Sequence, residues 1–321
     1  MTEGDWNMTD GQTAWVNYLE AGVNVGLWKG AQLEAAAIAT YAAGGAVEGS
    51  QLGVSNIYAG ANKPFRLIQA SVGQRIADKA YCAAGLRNID VDYFTSHSTA
   101  FFTGPANANF PIISNNYPAA TFPMSALGVH VELFPLKGIT LKASVYNGVA
   151  YETLDRQFRF VPSSDGVFSI GSVSYDREAG GEHPAHYTLG YVCGKVPDGG
   201  ETLVRKTGFW GLVEQPFLQW SDTQWCLLLQ GAAMSRHTSG THGYWGAGIT
   251  VDGISRRKMT AGIAFNRMHD HAEGNELDIE LTWAVPLTER FSLQPALHFM
   301  RSGHRETVVG LLRASLSLGN M

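Results

Sequence analysis

Residues Glu306–Leu318 separate cleanly by parity. One set reads Val308, Gly310, Leu312, Ala314, Leu316, Leu318; the other reads Thr307, Val309, Leu311, Arg313, Ser315, Ser317. Successive side chains of a strand point to opposite faces, so one face is wholly apolar and the other carries a charge and hydroxyls. The preceding segment does the same, with Phe291, Leu293, Pro295, Leu297 and Phe299 against Ser292, Gln294, Ala296, His298 and Met300. A soluble sandwich also alternates. Here, however, the pattern recurs along the chain with no helical stretch to cover an apolar sheet face. That combination predicts an all-β fold, a transmembrane antiparallel β-barrel with lipid outside and a polar lumen inside.

Composition supports this solvent assignment. Only 16% of the 321 residues are charged, fewer than a water-facing surface of two sheets would carry. No run of about 18 apolar residues marks a spanning helix. The 37 glycines suit many tight turns, and 8 Trp, 12 Tyr and 15 Phe suit aromatic girdles. A net charge of -5 with no basic stripe argues against nucleic acid as a partner. Cys82, Cys193 and Cys226 are odd in number and widely spaced, and read as incidental strand residues. Met1-Thr2-Glu3-Gly4-Asp5 lacks the basic and apolar regions of a secretory signal, so the chain reads as a mature or engineered form.

No linker divides residues 1–321, which are expected to form a single outer-membrane barrel domain. Strand patterns run over 14–27, 31–41, 65–73, 79–87, 125–134, 138–147, 166–175, 184–194, 205–219, 224–235, 244–252, 258–268, 275–285, 291–301 and 306–318. The alanines of 31–41 would also suit a helix, but the short connection at Trp28-Lys29-Gly30 and the matching parity favour a strand. Residues 44–62 read as irregular, with one helical turn near 50–59. These segments number one short of an even count, so sixteen strands are expected and fourteen is the alternative.

Residues 88–124 form a long connection with Tyr93, Phe94, Phe101, Phe102, Phe110, Tyr117 and Phe122 among Pro105, Pro111, Pro118 and Pro123. Long connections without regular structure are usually functional or disordered, and this one is too aromatic for a solvated tail. It is expected to fold toward the lumen, with Tyr93, Phe94, Phe101, Phe102 and Phe110 at a constriction.

Several stretches resemble the carbohydrate-selective porin family, the OprB-type porins of Gram-negative outer membranes. They are Gln69-Ala70-Ser71-Val72-Gly73-Gln74-Arg75, Ala84-Gly85-Leu86, Asp92-Tyr93-Phe94, Phe122-Pro123-Met124-Ser125-Ala126-Leu127-Gly128 and Val145-Tyr146-Asn147-Gly148. Two more are Gly208-Phe209-Trp210-Gly211-Leu212-Val213-Glu214-Gln215 and Leu293-Gln294-Pro295-Ala296-Leu297-His298-Phe299. The resemblance implies a sixteen-stranded barrel whose inward loops narrow a pore for sugars. The chain departs in its apparent shortness and in ending at Met321 without a terminal aromatic. Outer-membrane lipid, lipopolysaccharide and carbohydrate solutes are then the expected partners, with a monomer or a homotrimer as the assembly.

A sugar pore needs aromatic faces and a ladder of hydrogen-bonding groups that replaces hydration. Inward-parity Glu20, Glu34, Arg87, Glu132, Lys142, Asp278, Glu280 and Arg313 supply the ladder, with Arg87 the expected constriction arginine. Lys142 and Arg313 are expected to face Glu132 and carboxylates of Asp278's inward parity, across or along the wall. His269-Asp270-His271, with Glu273 and Glu276, offers metal-ligand types without a fixed spacing, and reads as an exposed loop. Ser235-Arg236-His237 and Thr241-His242-Gly243 read likewise, so neither metal nor cofactor is expected. Ser96, His97 and Ser98 form no ordered triad, which argues against an enzyme. A channel for another small solute, an organic acid or an aromatic, and a closed barrel serving as an envelope scaffold or partner subunit, stay open as alternatives.

Overall fold

The computed structural model describes residues 1–47, 50–58, 63–177, 184–200, 202–235, 240–255, 257–271 and 274–319. Sixteen antiparallel strands close on themselves. They are β1 (Thr2–Asn7), β2 (Thr13–Trp28), β3 (Ala31–Ala43), β4 (Lys63–Ile76), β5 (Ala80–Arg87), β6 (Ala126–Leu136), β7 (Ile139–Asn147) and β8 (Val167–Arg177). Then come β9 (Ala185–Pro197), β10 (Leu203–Trp220), β11 (Thr223–Met234), β12 (Thr241–Ile254), β13 (Met259–Asp270), β14 (Gly274–Pro286), β15 (Phe291–Ser302) and β16 (Arg305–Leu316). Each strand pairs with its sequence neighbours, and β1 pairs with β16. No described helix is long and apolar enough to cross a membrane.

The strand absent from the sequence reading is β1. Its outward residues are Thr2, Gly4 and Trp6, too little apolar surface to betray a lipid-facing strand, while Glu3, Asp5 and Asn7 are buried on the inner face. Glu3 lies directly opposite Arg313 in the β1–β16 register, and Arg313 Nε donates to Glu3 Oε2 at 2.6 Å. Segment 205–219 is one continuous strand, its ladder shifted between Pro216 and Leu218. The bulge accommodates a proline that cannot donate to the ladder. The expected helical turn near 50–59 is corrected: described residues 50–58 are bends and turns. Ala59, Arg236, His237, Glu273 and Met321 lie outside the described residues.

Side-chain parity sorts by solvent. Leu19, Leu189 and Phe209 point outward and are more than half exposed. Around the mid-height of the wall, Ile249, Ile263, Leu281 and Leu297 sit side by side on the outer face. Exposed aromatics ring both ends, with Trp6, Trp15, Tyr41 and Trp245 at one and Trp28, Tyr175, Trp220 and Trp283 at the other. This is the girdle expected where a barrel meets the two membrane interfaces. Connections 44–62, 88–125 and 148–166 all leave the first end, whereas 29–30, 77–79, 137–138 and 221–222 turn tightly at the second. Long loops belong to the extracellular side and short turns to the periplasm.

A positive side chain on the lipid belt should be costly. Leu281→Arg is expected to destabilise the barrel by about 2–4 kcal/mol, measured by chemical unfolding in lipid vesicles. Leu281→Phe at the same position should be close to neutral.

Candidate functional site

The connection between β5 and β6 begins where Arg87 ends its strand. The Asn88 side chain accepts from the Asp90 N–H and starts α1 (Ile89–Tyr93). A Ser96–Thr99 capping box starts α2 (His97–Phe101), and proline at the first turn opens both α3 (Pro105–Ala108) and α4 (Pro111–Ser114). These short helices pack against the buried faces of strands all round one side of the wall. Tyr93 Oη meets Ser144 Oγ of β7 at 2.7 Å. Gln230 of β11 donates to Asn107 O at 3.1 Å, Tyr244 of β12 to Ala106 O at 2.8 Å, and Gln294 of β15 to Phe101 O at 2.7 Å.

Wall carboxylates hold the segment. Glu280 Oε1 accepts from the Thr103 N–H (2.7 Å) and the Thr103 hydroxyl (2.9 Å), while Oε2 accepts from the Gly104 N–H (3.0 Å) and Asn107 Nδ2 (3.3 Å). Glu214 accepts from the Ser98 N–H at 3.0 Å and from the Ser96 hydroxyl. Glu276 does the same for the neighbouring connection, accepting from Ser50 Oγ at 2.8 Å and the Gln51 N–H at 2.9 Å. Asp278, Glu280 and His298 bring one ligand atom each within 4.8 Å of one another. Each of these groups already has hydrogen-bond partners: each Glu280 oxygen takes two donors, His298 Nδ1 meets Asp278 at 3.0 Å, and Nε2 meets Thr103 Oγ1 at 3.0 Å. The cluster is therefore a latch and not an open coordination site.

Aromatic rings fill what the carboxylates leave. Phe94 and Phe110 lie 5.0 and 5.3 Å from Trp210 of β10, and Phe110 lies 5.8 Å from Tyr244. Inward glycines make the room. A Cβ at Gly190 would come within 2.1 Å of the Trp210 ring, and one at Gly194 within 2.9 Å of Tyr117. A larger residue at either position would lift the ring from the wall.

Arg87 is the hub of a second network. Its guanidinium grips Asp92 with Nε at 3.0 Å and Nη2 at 2.6 Å, while Nη1 reaches Glu34 and Ser71, both at 2.9 Å. Tyr81 and Gln69 also donate to Glu34, at 2.6 Å each, and Tyr146 donates to Asp92 at 3.2 Å. Lys142 Nζ donates to the Asp92 carbonyl at 2.6 Å and lies 3.6 Å from Glu132. On helix α1, outside the spanning strands, burial pushes the Asp90 carboxyl up to about 7, partly offset by the Phe122 N–H that it accepts at 2.6 Å.

The sequence-predicted residues thus separate. Glu34 and Arg87 meet in one network, with Glu132 and Lys142 partly exposed beside it. Glu20 is exposed on the inner face of β2 and accepts from Tyr18 at 2.6 Å. Asp278 and Glu280 face inward but are fully buried, so their expected contact with pore water is corrected. Arg313 is buried at the seam and pairs with an inward carboxylate, Glu3, because the closure register puts Glu3 opposite it. Phe94, Phe102 and Phe110 have no exposed surface and Tyr93 very little, so they pack the segment to the wall and do not line an opening; Phe101 is half-buried. Sequence reasoning passed over Asp92, Glu214 and Tyr81. Asp92 stands in the quoted Asp-Tyr-Phe stretch, and Glu214 shares parity with Trp210 and Leu212, which made its face look apolar.

Comparison with known proteins is consistent with this geometry. The family described as "Carbohydrate-selective porin, OprB family" matches residues 8–313. Among solved structures, the high-pH structure of Pseudomonas putida OprB is 15% identical with a TM-score of 0.84, covering 99% of this chain and 92% of that one. Its low-pH structure is 14% identical with a TM-score of 0.67, covering 99% and 90%. An anion-selective porin from Comamonas acidovorans is 14% identical with a TM-score of 0.60, covering 98% and 96%. No curated protein matches by sequence.

Two outcomes follow from the latch and from Asp90. Glu280→Ala strands four donors, at about 1–3 kcal/mol for each that stays buried without a partner. It should free the segment and change single-channel conductance, while heat-modified gel migration still reports a folded barrel. For Asp90, the folded pKa lies above the unfolded carboxyl value of about 3.9, so the native state holds this proton more tightly. Its stabilising contribution is complete below that unfolded value and fades as pH rises through about 7. Thermal melts should show wild type losing more stability than Asp90→Asn between pH 5 and pH 8.

Proposed function

The chain belongs to the carbohydrate-selective porin, OprB family, and we propose that sugars cross it along a narrowed water path between the inner face of β2 and the Arg87 network. It is an outer-membrane β-barrel of the sugar-passing porin class. The observation that carries the proposed route is the inner row of β2. Glu20, Gly22, Asn24 and Gly26 point inward and are all exposed, whereas most inward side chains of the other strands are buried beneath the packed segment. Asn24 pairs directly with Glu34, which sets the exposed row beside the Arg87 network.

In this reading the 88–124 segment sets the bore by bulk. Latched by Glu280 and Glu214 and filled by its own rings, it occupies the β7–β15 side and leaves the β2 side to water. Glu20, Asn24, Gln32, Glu132 and Lys142 offer a succession of donors and acceptors that exchange with a sugar's hydration shell. Arg87, held by two carboxylates and a hydroxyl, fixes the position of Glu34 and of helix α1 at the narrowing. Buried charge held this way is a rigid wall, since removing either partner leaves the other unpaired. No catalytic step enters this account, and the protein acts as a channel.

Purified protein in planar bilayers should show discrete conductance steps that added sugars reduce. A barrel without conductance would overturn the open route, and block by organic acids alone would reassign the solute. Arg87→Ala should change both conductance and sugar block, measured in the same bilayers. An unaltered channel would take Arg87 away from the narrowing.

A further inference from the structure

Two histidine motifs that the channel leaves unused come together at the extracellular end. The β12–β13 register pairs Thr241 with Asp270 and Gly243 with His269, leaving His242 as the extra residue of a β-bulge. Bulges re-aim side chains, and they recur at rims and beside functional sites. Here the His242 ring stacks on His271, with centroids 4.2 Å apart and planes at 21°, and lies 6.1 Å from the His269 ring. Thr241 Oγ1 donates to Asp270 Oδ2 at 2.8 Å, which ties the two strand ends together beneath the rings.

The hydrogen bonding leaves nitrogens free for a ligand. His269 Nδ1 lies 2.6 Å from the amide oxygen of Asn275. That oxygen can only accept, so Nδ1 carries the proton and Nε2 keeps its lone pair. A ring nitrogen fixed by a hydrogen bond on the far side is the usual outer support of a metal-ligating histidine. His242 Nδ1 is enclosed and has no hydrogen-bond partner. His269 and His271 are two apart and His242 comes from the adjacent strand, so three imidazoles converge from two chain segments.

We propose that His242, His269 and His271 bind a divalent transition-metal ion of the zinc or copper class at the outer mouth of the barrel. Three imidazoles suit such borderline ions, which favour nitrogen over the oxygen-only shells of calcium and magnesium. Binding requires His242 and His271 to turn out of their stack, and neither ring is buried. The ion would fasten the start of β12 to the end of β13.

The experiment is a titration of full-length, tag-free, demetallated protein in detergent with zinc by calorimetry and with copper by electron paramagnetic resonance. One equivalent should bind, with nitrogen coupling from more than one imidazole. His242→Asn and His269→Asn should each weaken binding at least about 10-fold, and Asn275→Leu, which removes only the outer support, by about 10- to 100-fold. Affinity should fall at acidic pH, because a ligating imidazole must give up its extra proton to bind the metal. Heat-modified gel migration verifies that each variant is folded. Equal affinity in wild type and in the folded His242→Asn/His269→Asn/His271→Asn variant would overturn the site.

Discussion

A backbone N–H or C=O facing hydrocarbon has no water to bond, so a sheet that crosses a membrane must have no edge. Everything else in this protein depends on that closure. β1 supplies it with only Thr2–Asn7, pairing with β16 on one side and β2 on the other. The short strand carries Glu3 on its inner face, and Arg313 opposite is the charge that meets it. Neither residue works as pore lining because both are consumed at the seam. An arginine facing a lumen is not automatically in contact with solute.

Closure also creates an interior whose polar wall must be satisfied. A barrel of sixteen strands is too wide for its own side chains to fill, and here the β5–β6 connection packs against inward side chains of β11, β14 and β15. The wall answers in two ways. Carboxylates on β10 and β14 accept backbone N–H groups that short, irregular helices leave unpaired, and inward glycines give the aromatic rings somewhere to lie. The same carboxylates that would attract a passing solute are thereby spent on positioning the segment. On the inner face of β2, Tyr18 packs against Phe122, and beyond it Glu20, Gly22, Asn24 and Gly26 stay exposed.

Much of this was legible in the sequence. Parity alone assigned lipid and lumen faces along β16, and Leu312 is exposed outward while Arg313 is buried inward, as alternation requires. The alanines of β3 form a strand despite their helical propensity, because pairing with β2 and β4 overrides it. The β1 strand was illegible because Glu3, Asp5 and Asn7 give it no apolar face beyond Trp6. The site was less legible than the fold. Glu34 and Arg87 are 53 positions apart in sequence and 2.9 Å apart in space, and only strand order brings them together.

Sequence by itself determined the period-two alternation, and with it the solvent on each face, since the two faces of a strand cannot exchange without a register slip. It also carried the family resemblance, through short motifs spread along the chain. Tertiary structure alone decided which inward charges touch water. That choice depends on how one long connection folds over the wall, and its partners at Glu214, Glu280 and Trp210 lie more than a hundred residues away along the chain. The pairing of His242 with His271 was settled the same way, by a bulge that only the β12–β13 register reveals.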